Sequence, residues 1–443
     1  MKRIVLPFLF TFLVTVTFAQ DKDIKKATSL VDAKKYDEAK TQIDGILAKD
    51  PKNTEALYLK SKVDVILADE AAKKGPLTGD ELYGEAFSAF KQAILDSTNP
   101  KLTLMVVKDN YAPIFGVYSG YFAEGASAFN DAAPKADTAG FGKAMNFFIK
   151  ADDVGQYIRE HKWANIGKVD TTLVLNIAKA ALNSKNDAVA EKYFKELADA
   201  RIKGMHNEKD TADAAYELPY QWLTLTYKQA GDSANMVKYA NLGKELYPND
   251  DYFDFVEMDY YREKENKPAL FKKYEELTAK HPDSVRYHLN YATEIFSYVY
   301  NSDEGTVIND KDALLTTLQN QLEKAHSLDP KNPGVNLLYA QYYYNKGIIT
   351  LQNADKIKTA GITPDQKKQK ADLNTQGEAN LKLAIPYAED ALSEYGEGYK
   401  KTERSKYKSV ANILQNIYQS LGDKANLKKY QDLYDGADAK FVN

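Results

Sequence analysis

The sequence predicts an all-α chain, an α-α superhelix built as a solenoid of about nine helix-turn-helix units, some with elongated helices. The first observation behind this is a stripe that recurs along the chain: Ala39, Ile43, Ile46; Ala86, Phe90, Ala93; Ala144, Phe148, Ala151; Ala190, Phe194, Leu197; and Ala384, Ala388, Ala391. Steps of four and three residues put each triplet on one helical face, so one packing contact is made repeatedly. The second observation is the prolines: Pro51, Pro248, Pro282 and Pro330 close units, and Pro248 to Pro282 is a step of 34 residues. Third, no segment alternates apolar and polar residues between turn pairs as a hairpin strand would. A length of 443 residues suggests two or three domains. A solenoid removes that inference, because its core grows with the stack.

Unit one, Ile24 to Asn53, carries Ala27, Leu30, Tyr36, Ala39, Ile43 and Pro51 in order. Unit five, Glu217 to Pro248, has Tyr227 and Gly231 in the same register. This pattern resembles the tetratricopeptide repeat (TPR), a helix-turn-helix unit with small residues where its helices cross and a proline after the second. The remaining units follow: Thr54 to Pro100, Leu102 to Ala151, Asp170 to Arg201, Asp251 to Pro282, Val285 to Pro330, Pro333 to Glu394, and a looser Lys401 to Asp435 that serves as a cap. Two units are long. The gaps from Ser61 to Ala86 and from Ala340 to Ala384 keep a helical pattern through Val63–Ala72 and Gln366–Asn380, which predicts longer helices. The register lapses around Gly155, Trp163 and Gly167, giving an expected division into 20–151, an irregular junction at 152–169, and 170–443.

Residues 1–19 read as a signal peptide: Lys2 and Arg3 precede an apolar run from Ile4 to Ala19 that is shorter than the roughly 20 residues of a membrane span. Cleavage before Gln20 is expected, with the periplasm as destination and secretion or outer-membrane association as the other ends of that route. The chain has no cysteine, so it forms no disulfide and carries no lipid anchor on a cleavage-site cysteine. Loss of Lys2 and Arg3 takes the basic count from 59 to 57 against 63 acids, a charge near −6. A mildly acidic surface without a basic stripe speaks against nucleic acid as partner. No second apolar run is long enough to span a membrane.

No catalytic constellation stands out. His161, His206, His281, His288 and His326 are scattered, without the paired helical spacing of a zinc hydrolase, and no metal or cofactor is expected. Gly140, Gly142 and Lys143 lack the glycine spacing of a phosphate loop, and Ala144 stands where its hydroxyl would be. Ser119 and Ser127 lack the flanking glycines of a nucleophile elbow. Asn301, Asp303, Glu304, Asp310 and Asp312 offer calcium-type oxygens, but Gly305 is off the position that the helix-loop-helix calcium site needs. Tyrosine is abundant, 32 against two tryptophans. Helix packing accounts for most of it. The runs Tyr260–Tyr261, Tyr298–Tyr300 and Tyr342–Tyr344 exceed what one helix face buries, so part of the excess is expected on a surface, where tyrosine suits peptide or sugar ligands.

The TPR resemblance implies a concave groove lined by the first helix of each unit. Carried over, it places there Gln221, Lys228, Tyr252, Asp259, Arg262, Arg286, Thr293, Gln341, Tyr344 and Asn345. The family's carboxylate clamp is not implied: Lys228, Arg286 and Asn290 fit it, but Leu225, Asp259 and Leu338 occupy its other positions. The expected function is a non-enzymatic scaffold of the bacterial envelope that holds a protein or peptide. The alternative is a glycan-binding protein related to the TPR-containing binding proteins of polysaccharide uptake, which are mostly lipid-anchored.

Overall fold

The computed structural model describes residues 21–75, 78–95, 98–163, 169–204, 214–303, 306–358 and 360–441. The expected leader at 1–19, and Glu304 and Gly305 of the acidic loop, lie outside them. No described helix is long and apolar enough to cross a membrane.

The chain divides into two compact units, Met1–Glu257 and Met258–Asn443. Both are all-α and built from consecutive helical hairpins, a TPR-like α-α solenoid. The first unit contains α1 (21–32), α2 (Tyr36–Lys49), α3 (Thr54–Lys74), α4 (Asp80–Ile94), α5 (Pro100–Lys108), α6 (Ala112–Ala132), α7 (Thr138–Glu160), α8 (Thr171–Asn183), α9 (Asp187–Asp199), α10 (Leu218–Gln229) and α11 (Ser233–Leu246). Helix α12 (Tyr252–Glu263) carries the chain across the division. The second unit continues with α13 (Lys267–Lys280), α14 (Val285–Tyr300), α15 (Lys311–Leu328), α16 (Pro333–Asp355), α17 (Pro364–Gly396), α18 (Arg404–Leu421) and α19 (Lys424–Lys440). These make nine hairpins at the nine expected units, with α5 left over.

Every residue of the recurring stripe is buried, from Ala39, Ala86, Ala144 and Ala190 at 0 % exposure to Ile46 at 2 %. The small residues let the paired helices approach, and each aromatic or aliphatic partner buried beside them contributes about 1.5–3 kcal/mol. Turn chemistry fixes the hairpins. Lys34, Lys185, Gly231, Glu265 and Gly422 all take a left-handed backbone just before the second helix of their units. Asn186, Asp232, Asn266 and Asp423 follow and cap that helix through a side-chain oxygen. The tetrapeptide Asp-Pro-Lys-Asn forms the same contact twice, Asn53 Nδ2 to Asp50 and Asn332 Nδ2 to Asp329.

The long gaps are filled by helix, as expected: α3 spans 21 residues and α17 spans 33, the latter started by a capping box at Thr363 and Gln366. Gly347 and Gly377 let α16 and α17 cross closely, since a Cβ on either would meet the other helix within about 3 Å. The expected junction at 152–169 begins inside α7, which continues to Glu160 because Val154, Gly155 and Ile158 remain buried. Residues 164–168 are outside the described set; the first compact unit runs to Glu257 and the second starts at Met258.

The tyrosine excess is structural, which corrects the expectation of a tyrosine-lined surface: of the 32 tyrosines, Tyr399 alone is exposed. Many form a ladder between successive second helices. Tyr239 of α11 donates to Asp199 of α9 at 3.2 Å, Tyr430 of α19 donates to Glu389 of α17, and Tyr193 of α9 faces Asp152 of α7. Each is preceded by a lysine whose ammonium lies over the ring, Lys192, Lys238 and Lys429 at 4.6, 4.5 and 4.6 Å. Tyr239 stacks on Tyr227, and Tyr430 on Tyr418, at 5.6 and 5.5 Å. Such contacts add about 0.5–1.5 kcal/mol each beyond buried area. A phenol suits this position because its ring fills the core while its hydroxyl reaches the preceding hairpin.

Candidate functional site

The expected groove residues are mostly engaged within the fold. In the second unit Arg262 is held on three sides: Nε to Glu294 at 2.5 Å, Nη1 to Asp259 at 2.6 Å and Nη2 to the Tyr274 hydroxyl at 2.7 Å. Burial works against its charge, but the bonds to Glu294 and Tyr274 outweigh it. Asp259 and Arg262 are thus brought together as part of an α12–α13–α14 tie. Thr293 donates to Leu289 of its own helix at 2.8 Å. Tyr344 is half-buried against Leu381, Ala384, Ile413 and Ile417 and meets Asn416, so it packs α16 onto α17 and α18. Gln341, Asn345 and, in the first unit, Lys228 are also half-buried. Arg286 is exposed, its guanidinium 4.9 Å over the Tyr287 ring.

Gln221 and Tyr252 of the first unit converge on Asp250, which neither spacing nor the resemblance indicated. Gln221 Nε2 donates to one carboxylate oxygen of Asp250 at 3.0 Å, and the Tyr252 backbone N–H donates to the other at 2.9 Å. Glu217 lies against the same carboxylate. Partial burial first, then its hydrogen bond and repulsion with Asp250, push the Glu217 carboxyl up to about 7. The raised carboxyl makes Glu217 the group that holds a proton against its neighbour near neutral pH. A pKa raised on folding means stability that is present below the ordinary glutamate range and lost as pH rises through about 7. Glu217→Gln is therefore expected to raise stability at pH 8 relative to wild type by about 1 kcal/mol after allowance for solvent screening, read as a higher melting temperature, and to change little at pH 5. Equal effects at both pH values would remove the shared proton.

A different feature collects exposed apolar surface. Helix α5 belongs to no hairpin. Asn99 caps it, accepting from the N–H groups of Lys101 and Leu102, and binds Thr54 through Nδ2 at 2.9 Å. Leu102 and Val106 are buried, while Leu104 and Val107 on the same short helix are 68 % and 58 % exposed, and Leu95 just before it is 84 % exposed. Beyond α5 the chain passes through Asn110 and Tyr111, both left-handed without being glycine, at about 1 kcal/mol or more each. That turn lays the Tyr111 ring on Trp163 at 5.0 Å and 24°.

Trp163 sits beyond the end of α7, after another left-handed residue, Lys162. His161 lies nearly parallel to it at 4.5 Å, while Phe90 and Tyr157 meet it edge-on at 5.5 and 5.7 Å. The rings and α5 enclose an open cavity of about 310 Å³, lined by Ile94, Leu102, Val106, Val107, Tyr111 and Trp163 together with Thr103 and His161. We call this the α5 cradle. The signal for it was present in Leu102-Thr103-Leu104-Met105-Val106-Val107, which is apolar on too many sides for a helix with one buried face.

Among the described residues no group of three or more histidine, aspartate and glutamate side chains is arranged to hold a metal ion. The buried His288 is bound on both ring nitrogens, to Gln321 at 2.6 Å and the Pro282 carbonyl at 3.0 Å.

No protein-family model matches the chain, and no curated protein matches it. Solved structures do. One is a widely conserved type IV pilus biogenesis factor, PilW, with 15 % identity, TM-score 0.25, and coverage of 60 % of this chain and 95 % of that one. Another is the human IFIT1 dimer with m7Gppp-AAAA, with 12 % identity, TM-score 0.24, and coverage of 86 % and 90 %. A third is the Naa15/Naa10 complex bound to HypK-THB, with 12 % identity, TM-score 0.25, and coverage of 95 % and 64 %. Superpositions this loose transfer no residue roles; the fold stands on this chain's own helical hairpins.

Proposed function

We propose that this chain is a non-enzymatic, TPR-like scaffold of the bacterial envelope that holds a protein or peptide partner. The α5 cradle is the observation that carries the reading. Exposed Leu104 and Val107 on one short helix, beside a ring-walled cavity that Val107 lines, support a contact surface for another molecule, because leaving apolar area in water is unfavourable at about 25 cal/mol per Å². The surrounding hairpins supply the rigidity, and the net acidic charge speaks for a protein partner over nucleic acid. Export rests on the charged start and short apolar run of residues 1–19, and amino-terminal sequencing of the protein from its own host should find Gln20 first.

The cradle is tested by comparing wild type with Leu104→Asp/Val107→Asp as bait in envelope extract. Both positions are exposed, so the melting temperature should stay within a few degrees of wild type. Proteins enriched on wild type above an unrelated helical bait should fall at least tenfold on the variant, since truncating a central apolar anchor costs about 1–2 kcal/mol or more. Equal retention on both would take the cradle out of the reading, and no enrichment above the unrelated bait would overturn the scaffold itself.

A further inference from the structure

We infer that the α5 cradle takes an acidic, amphipathic peptide segment, which seats an apolar side chain between α5 and Trp163 while its acidic flanks meet Lys108 and Lys162. This rests on the scaffold reading and adds the chemistry of the ligand.

Concentration of apolar exposure selects the place. Leu95, Leu104 and Val107 are three of only eight exposed large apolar side chains among the described residues; Val107 lines the cavity, Leu95 follows the lining residue Ile94, and Leu104 stands on the same short helix as Val107. The shape selects a side chain. A dry cavity of about 150 Å³ holds a benzene-sized group, so about 310 Å³, open on one side, accommodates a leucine or phenylalanine with part of its neighbour. The walls are also fixed before binding. Trp163 is bracketed by Tyr111, His161, Tyr157 and Phe90, and the Tyr111 backbone is held left-handed by its N–H bond to the Val106 carbonyl at 3.0 Å. Pre-formed walls reduce the ordering cost of binding.

Charge selects the flanks. Lys108 ends α5, and Lys162 stands between His161 and Trp163; both are exposed, and neither forms an ion pair among the described residues. Two nearby charges are neutralised within the fold: Asp109 receives Lys62 at 2.7 Å and the Tyr58 hydroxyl at 3.2 Å, and Lys101 is paired with Asp21 at 2.7 Å. Of the exposed acids of α7, Asp153 and Glu160, Glu160 is the one that adjoins His161. The balance favours an anionic ligand. A peptide fits better than a lipid surface because the apolar atoms line a concavity beside a helix of nine residues, and a bilayer would leave that concavity unfilled.

The chain has two tryptophans, so Trp222→Phe leaves Trp163 as the sole reporter of the cradle. The probes are a synthetic amphipathic peptide of about a dozen residues with leucine and phenylalanine at helical spacing between glutamates, the same peptide with lysines for glutamates, and phosphatidylglycerol vesicles. The glutamate peptide should shift Trp163 emission saturably, with half-saturation on the order of 10–100 μM. The lysine peptide should bind at least tenfold more weakly, and Lys108→Glu/Lys162→Glu should reverse that order. Equal affinity for both peptides, no saturable shift, or a vesicle response that the glutamate peptide does not displace would each overturn the assignment. If Leu104→Asp/Val107→Asp still releases envelope partners while the peptides show no charge preference, the ligand chemistry is wrong and the scaffold reading stands.

Discussion

Ala190→Asp is expected to unfold its part of the first unit, losing more than about 4 kcal/mol against wild type in urea denaturation followed by circular dichroism. Ala190 has no exposed surface, and neither do Phe194 and Leu197 on its own helix or Ala178 on α8. The introduced carboxyl would be carried into the interior beside these fully buried apolar residues, where its desolvation is costly. The cost divides between desolvation and the extra volume forced into close-packed helices, and overpacking alone typically contributes about 1–3 kcal/mol. Repeat hairpins draw stability from their neighbours, so the loss should extend to α7 and α10, which pack on the α8–α9 pair.

The sign of the pH effect separates the two costs. A buried carboxyl has its pKa raised on folding, so the folded variant is favoured where that group is protonated. The deficit relative to wild type should therefore shrink from pH 8 towards pH 4. Ala190→Val adds volume without charge and should cost less, with no such dependence. A deficit under about 1 kcal/mol for Ala190→Asp would mean that the α8–α9 crossing is not the tight contact its burial indicates.

The same alanine shows why the fold was readable from sequence. A helix crossing at contact distance admits only a small side chain, so the constraint is local and recurs at each hairpin, and Ala39, Ala86, Ala144 and Ala190 all report it. The Asx caps and the post-helix prolines are local for the same reason. What was not readable depends on contacts between elements distant in sequence. Arg262 has the position of a groove residue, but Glu294, 32 positions later, decides that it is a structural tie. Tyr344 likewise has the spacing of a groove residue, and only α17 and α18 reveal that it packs inside. The tyrosine runs exceed what one helix face buries, but Tyr342 reaches Gln319 of α15 while Tyr343 stacks on Tyr387 of α17. Elsewhere the hydroxyls of Tyr239 and Tyr430 reach acids on the preceding hairpin, so a second helix face is also covered. Helix α5 falls largely within the expected unit Leu102 to Ala151, and its lack of a partner helix is a property of the assembled hairpins.

Removing the ammonium of Lys60 is expected to be the most damaging single loss of charge in the first unit, about 3 kcal/mol for Lys60→Met. Asp64 has a fully buried side chain and receives Lys60 at 2.6 Å and Lys40 of α2 at 3.3 Å; Lys60 also reaches Glu85 of α4 at 2.6 Å. The three acid–base contacts tie α2, α3 and α4 together. Methionine keeps the apolar stem of Lys60, so what is lost is the charge, and Asp64 remains buried with only the longer Lys40 contact. Lys60→Met/Asp64→Leu should recover most of the deficit, because a buried ion pair replaced by apolar groups is often neutral whereas half a pair is not. The double variant should therefore be more stable than Lys60→Met alone, and additive losses would show that the two side chains do not act as a unit.

Titration gives an independent check on the same tie. Burial by itself lowers the Lys60 pKa, but the hydrogen bonds to Asp64 and Glu85 outweigh it and leave the ammonium held above the ordinary lysine range. A raised pKa contributes stability that is complete below the unfolded value and lost as pH rises through the folded one, so the gap between wild type and Lys60→Met should stay constant from about pH 6 to pH 9. On the acid side, the hydrogen bond from Lys60 is the main cause that lowers the Glu85 carboxyl. Its contribution is present above the unfolded glutamate value and disappears as pH falls through the lower folded one. The gap should therefore narrow in acid below the carboxylate range and in strong alkali, with a plateau between. A gap that varied through neutral pH would point to a histidine-range group in place of the Lys60–Asp64–Glu85 contacts.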